Sequence, residues 1–191
     1  MGSHHVDRDH IATDSGRGEG DVLKTLLVLR HAKSSWDDTA LDDHDRPLNT
    51  RGQRDAPRMG RLVREHGLTP DLIISSDAVR ACMTTEAVAE TSRYAGEIRL
   101  EGRLYAASAA GILTVLRTVT ATTSVTVMIV GHNPGLEELV AQLTAQQHEL
   151  PTAALAQISL PIARWRDLKK STRGRLLGLW RPKDPSAHPL L

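Results

Sequence analysis

An α/β domain with a mostly parallel sheet and an antiparallel strand pair near its C-terminal end is the fold class this sequence predicts. Three observations carry the expectation. Thr25–Leu29 (TLLVL), Asp71–Ser75 (DLIIS) and Val125–Val130 (VTVMIV) are short, nearly continuous apolar runs, suited to strands covered on both faces. Segments with apolar residues at helical spacing lie between them. Leu155–Leu160 and Leu176–Trp180 are two further apolar runs joined by a basic stretch over 164–175, the pattern of two strands that return on each other. Strands alternating with helices specify parallel pairing, because each crossover helix carries the chain back to the same end of the sheet.

Each element has its own local cause. After the first strand a polar, acidic loop runs from Lys33 to Arg46. Asn49 or Thr50 caps a helix expected from Arg51 to His66, which Gly67 closes. Ala56, Met59, Leu62 and Val63 are its apolar stripe, and Pro57 argues for a start later than Arg51. Ser76 or Asp77 caps the next helix, Ala78 to Glu90. Ile98–Leu100 is a short third strand, and Ser108 caps a helix running to Val119. Pro134 and Gly135 open a helix to Gln146 whose face is Leu136, Leu139, Val140 and Leu143. Met1–Asp21, rich in Gly, Ser, Asp and His, reads as a disordered tail or the remnant of an expression tag. Residues 22–184 are expected to form a single domain, and 185–191 a loose tail.

Composition narrows the function. The 191 residues hold 24 Lys and Arg against 23 Asp and Glu, a formal net charge of +1. That balance gives no general field for nucleic acid or membrane, so any anion site must be a local cluster. Phe is absent, and three Trp and two Tyr are the only large aromatics. The core is therefore aliphatic, and base-stacking readout of RNA is disfavoured. Cys82 stands alone, which excludes an intramolecular disulfide and leaves it a small apolar filler. There is no apolar run of transmembrane length and no signal-peptide core, so a cytoplasmic enzyme is the expectation.

The chemistry collects where the strands end, which is where open α/β sheets bind ligands. Arg30 and His31 follow the first strand. Ser75, Ser76 and Asp77, then Arg80 in the next helix's first turn, follow the second. Gly131, His132, Asn133, Pro134 and Gly135 follow VTVMIV. Two arginines and two histidines from three distant segments thus meet at one edge. Guanidinium forks match phosphate oxygens, helix N-termini near Arg80 and Pro134 add donors, and a neutral imidazole can attack phosphorus. The chain has no GK[ST] phosphate loop. A metal site from His31, His132, His44 and nearby aspartates is disfavoured, since the arginines would repel a cation and no H-x-x-x-H or H-E-x-x-H pair exists.

The segments LLVLRHAKSSW, DRPLNTRG, ISSDAVRACMTTE, VGHNPGLEELV, PTAALAQISL and GLWRPKD together resemble the histidine phosphatase superfamily, and within it the small SixA-type phosphohistidine phosphatases. The likeness spans about residues 24–184. It implies a three-layer α/β/α fold of the phosphoglycerate-mutase-like kind, with no cofactor and no metal. It further implies that His31 is the nucleophile, that Arg30 and Arg80 hold phosphate oxygens, and that His132 donates a hydrogen bond to the transferred group. Lys33 and Ser34, close to His31 in sequence, are placed as substrate contacts at the rim. Two departures stand out. Ala32 occupies a position that is Gly in most members, a strain only if positive φ is needed there. Ala106 stands where many members carry a Glu proton donor after an Arg-Leu pair, here Arg103-Leu104. The loop carboxylates Asp37, Asp38, Asp42, Asp43 and Asp45 are substitutes without a clear choice among them. The missing acid favours a phosphoramidate substrate, whose leaving imidazole needs little protonation. The expected partner is a phosphohistidine protein or, as the alternative, a small phosphorylated metabolite. A non-catalytic phosphate-binding module is the reading from another class.

Overall fold

The computed structural model describes residues 23–121 and 123–183; the two expected tails fall outside them. Six strands form one sheet in the order β3-β2-β4-β1-β5-β6. They are β1 (Lys24–Arg30), β2 (Leu72–Ser75), β3 (Glu97–Leu100), β4 (Thr126–Gly131), β5 (Leu155–Leu160) and β6 (Arg175–Trp180). The first four pair in parallel, while β5 runs antiparallel to both β1 and β6. The helices are α1 (Thr50–Glu65), α2 (Val79–Ser92), α3 (Ala109–Arg117) and α4 (Gly135–Thr144).

Alternation along the central strands builds the three layers. Leu26 and Val28 of β1 point into one core with the apolar faces of α3 and α4, together with Trp165. Leu27 and Leu29 point into the other, with Ala56, Met59 and Val63 of α1 and Val88 of α2. Both faces of β1 and β4 are covered, which is why those strands read as unbroken apolar runs.

The helix ends follow local chemistry with two exceptions. Asn49 accepts from the Gly52 amide at 2.9 Å and caps α1, Gly67 closes it at φ +65°, and Ser108 caps α3 through the Gly111 amide. Pro57 does not delay α1, which starts at Thr50 and carries the proline inside. The packed interface with α2 overrides the local cost of about 3 kcal/mol. There Gly60 allows near-contact, since a Cβ on it would lie 2.6 Å from the Val88 carbonyl oxygen. Neither Ser76 nor Asp77 is the cap of α2; that residue is Ala78, whose amide donates to Ser76 Oγ at 3.3 Å.

Register places the functional edge. Arg30 is opposite Gly131 and Ser75 is opposite Val130. The next residues, His31, His132 and Ser76, therefore leave three adjacent strands side by side.

Candidate active site

The edge closes around a cavity of about 170 Å³ lined by Arg30, His31, Lys33, Ser34, Trp36, Arg46, Arg80, His132, Asn133 and Thr152. That is roughly the share of liquid volume of five or six waters, suited to one tetrahedral anion. Wider depressions lie beside Glu137, Glu138 and His148, about 480 Å³, and along Arg54, Arg58 and Arg61, about 440 Å³. Neither holds a nucleophile flanked by buried cations.

His31 is fixed from both sides. Its amide donates to the Gly131 carbonyl at 3.1 Å. Its Nδ1 lies 2.7 Å from the Ala32 carbonyl oxygen, which can only accept, so the proton is on Nδ1 and the lone pair on Nε2. Arg80 Nε donates to that lone pair at 3.3 Å. Burial pushes the imidazole down to about 3, and repulsion from His132 and the two arginines adds to it. His31 is thus neutral at physiological pH with its nucleophilic nitrogen facing a guanidinium. Ala32 is fully buried and keeps a non-left-handed backbone, so Ala for Gly costs no strain here.

His132 sits 4.9 Å from His31, ring centre to ring centre. Its Nδ1 lies 3.3 Å from Arg80 Nη2 and its Nε2 lies 2.9 Å from Ser76 Oγ. Burial, then the Arg80 charge, holds it down to about 4. Arg30 donates from Nη1 to the Leu150 carbonyl at 2.8 Å. Leu150 is itself anchored through its amide to Glu137 Oε1. The Arg30 Nε is buried with no partner among the described residues, leaving donors free for an anion.

All six residues expected at the site line the cavity. Ser34 is buried and accepts from Arg46 Nη1 at 2.9 Å, and Lys33 is at the rim. Arg80 pairs with neither Asp77 nor Glu86. Its end-on edge donates through Nη1 to the Asp43 backbone carbonyl and through Nη2 to Asp43 Oδ2 at 2.9 Å. Of the loop carboxylates, Asp43 is the one that reaches the site. It also accepts from Tyr105 at 2.8 Å and from Arg46 at 2.6 and 3.0 Å. The Tyr105 hydrogen bond and the Arg46 and Arg80 charges hold it well below the usual carboxylate range. Asp37 and Asp38 instead bind within their own loop, and Asp45 pairs with His44.

Sequence reasoning missed three participants. Arg46 is buried, and its guanidinium carbon lies 3.5 Å from the centre of the Trp36 ring, which is 66% exposed at the cavity mouth. The signal was DDHDRPLN, whose Arg closes the acidic loop three residues after Asp43. Tyr105 stands beside Ala106, and its ring packs edge-on against His132 at 5.5 Å. Ser76 was read as a helix cap rather than a histidine partner.

The chain is similar to several known proteins. Residues 26–109 match the histidine phosphatase superfamily (branch 1). A chloroplastic protein of Arabidopsis thaliana is 35% identical over 71% of this chain and 67% of its own length. A Mycobacterium tuberculosis protein is 33% identical over 61% and 70%. This chain belongs to the histidine phosphatase superfamily. Within it the chain is of the SixA type. A structure solved under the name phosphohistidine phosphatase SixA from Nakamurella multipartitia superposes with a TM-score of 0.73 at 25% identity, covering 88% of this chain and 98% of that one. Its namesake from Agrobacterium tumefaciens gives 0.71 at 28%, covering 83% and 98%. The sheet with its flanking helices is the phosphoglycerate-mutase-like fold of these neighbours. Membership makes the chain a phosphatase of the superfamily. No helix among the described residues is long and apolar enough to cross a membrane.

Proposed function

We propose that this histidine phosphatase hydrolyses phosphohistidine on a protein through a covalent phosphoryl group on His31. The observation that carries the proposal is the unprotonated Nε2 of His31 facing the Nε edge of Arg80, beside an Arg30 whose Nε has no partner among the described residues. The Nε and Nη2 atoms of Arg80 face the two imidazoles side by side, each 3.3 Å from a ring nitrogen. Two phosphoryl oxygens seated on that fork bring phosphorus to His31 Nε2.

The steps balance without a metal. Nε2 forms a bond to phosphorus while the substrate's phosphorus–nitrogen bond breaks. A substrate imidazole protonated at its far nitrogen leaves neutral. His31 then carries the phosphoryl group as an imidazolium whose Nδ1 proton is held by the Ala32 carbonyl. Water adds to phosphorus, its proton goes to the product phosphate, and His31 leaves neutral. Arg30, Arg80 and a donor from His132 stabilise the equatorial oxygens throughout, so positioning and charge supply the catalysis.

The leaving group follows from the absent acid. Ala106 is exposed, and Asp43 is held ionised by Tyr105 and the arginines, so neither protonates an alkoxide. Such an acid contributes on the order of 10²–10⁴ in rate. One observation favours a second reading: the Tyr105 hydroxyl, hydrogen-bonded to Asp43, is a proton donor for a small phosphate monoester.

Two measurements test this. Hydrolysis of a phosphohistidine protein is compared with that of a panel of phosphate monoesters, expecting kcat/KM at least about 100-fold higher for the former. A preference for a monoester that Tyr105→Phe abolishes establishes the second reading instead. His31→Ala is expected to lose turnover and acid-labile phosphate labelling yet still bind inorganic phosphate. Wild-type turnover in that variant removes the nucleophile assignment.

A further inference from the structure

His132 is buried and neutral, so its ring carries one proton for two nitrogens, and both nitrogens are engaged. Arg80 Nη2 lies 3.3 Å from Nδ1. A guanidinium has no acceptor, so Nδ1 accepts there and the ring proton sits on Nε2. Nε2 then donates to Ser76 Oγ at 2.9 Å. The proposed reaction asks the opposite of the same ring. To donate to a phosphoryl oxygen, Nδ1 must carry the proton, and Nε2 must become an acceptor.

Ser76 meets both demands. It is fully buried, so no bulk water substitutes for it. Its Oγ accepts from the Ala78 amide at 3.3 Å, which takes one lone pair. One lone pair and the hydroxyl hydrogen are left for His132. A hydroxyl is the one small side-chain group that can accept from an N–H and, after rotating, donate to the same nitrogen. Alanine here would leave a buried imidazole nitrogen unpaired, and a carboxylate or amide oxygen would only accept.

We propose that Ser76 is a positioning residue whose hydroxyl reverses its hydrogen bond to His132, so that the ring proton passes from Nε2 to Nδ1 when a phosphoryl group takes the Arg80 fork. Nδ1, which faces Arg80, takes a proton from the arriving phosphate monoanion, which binds as the dianion, and the Nε2 proton goes to solvent, so the ring is neutral before and after. Ser76 keeps its own hydrogen and changes only its direction. The inference rests on the reading of His132 as a donor to the transferred group.

The test is ring ¹⁵N NMR of the full chain at pH 7.5, with and without saturating inorganic phosphate. Wild-type His132 is expected as the Nε2–H form without phosphate and the neutral Nδ1–H form with it, while the His31 signal reports binding separately. In Ser76→Ala the exchange is expected to disappear, and kcat to fall about tenfold with KM nearly unchanged, the loss of one buried hydrogen bond. An Nε2–H ring that persists although the His31 signal has moved overturns the proposal. So does a doubly protonated ring, which means uptake of a proton rather than its relocation. A Ser76→Ala variant that exchanges tautomers like wild type also overturns it. Phosphate that moves neither ring overturns the site reading itself, and this inference with it.

Discussion

Arg80 has two working faces. Its side-on edge meets the two histidines, and its end-on edge is gripped by Asp43. Asp43 is in turn held by Arg46 and Tyr105, so the carboxylate aims the fork rather than moving protons. Charge-assisted hydrogen bonds of this kind contribute about 1.5–3 kcal/mol each. Asp43→Asn is therefore expected to lower kcat/KM by roughly 10- to 100-fold without creating a new pH limb, as steady-state assays across pH will read. The histidines make a second prediction at this scale. Burial keeps His31 near 3 and His132 near 4, while Asp77 and then Asp45 raise the half-buried His44. Above pH 5 only His44 of these three should titrate by NMR. The linkage sign is fixed: between the folded values and the unfolded value of about 6.5, the unfolded chain binds more protons. Stability contributed by these two rings is full above about pH 6.5 and drains away toward pH 3, visible as a falling urea midpoint. At this scale Arg30, His31, Arg80 and His132 were legible because each follows a strand end. Asp43, Arg46 and Tyr105 were not, because loop folding and not periodicity brings them to Arg80.

The elements were the easier reading. Strands β1 and β4 announce themselves as apolar runs because helices cover both faces, and the C-terminal pair does so because β5 and β6 return within one apolar-basic-apolar stretch. At the start of α1, tertiary packing overrides local propensity. Pro57 argued for a later start to α1, but its apolar stripe against α2 keeps the turn helical. That interface allows a prediction away from the chemistry. A Cβ at position 60 would sit 2.0 Å from Thr91 Oγ1 and 2.6 Å from the Val88 carbonyl oxygen. Gly60→Ala should therefore push α1 from α2 and destabilise by about 1–3 kcal/mol. Urea unfolding measures the loss, and kcat/KM of the surviving folded fraction should be unchanged.

Across the whole molecule, stability and chemistry share the same strands. β4 and β1 lie at the centre of the sheet with both faces buried, whereas β3 is an edge strand with Ile98 and Leu100 exposed. Native-state hydrogen exchange should be slowest in β1 and β4 and fastest in β3. Comparable protection in β3 would mean that the edge is covered in solution. The pocket is thus bolted to the most rigid part of the protein, while the Asp43 loop that trims it is exposed.

The hold of the Leu150 carbonyl on Arg30, and of β5 on β1, has a consequence for biosynthesis. A polypeptide emerging from the ribosome presents both histidines and both arginines by the time GHNPG is out. Its first guanidinium still lacks its brace, and its first strand still has a bare flank. Phosphatase activity should therefore switch on late in translation, after the PTAALAQISL segment clears the exit tunnel, and a nascent chain stalled before that point should be chemically silent.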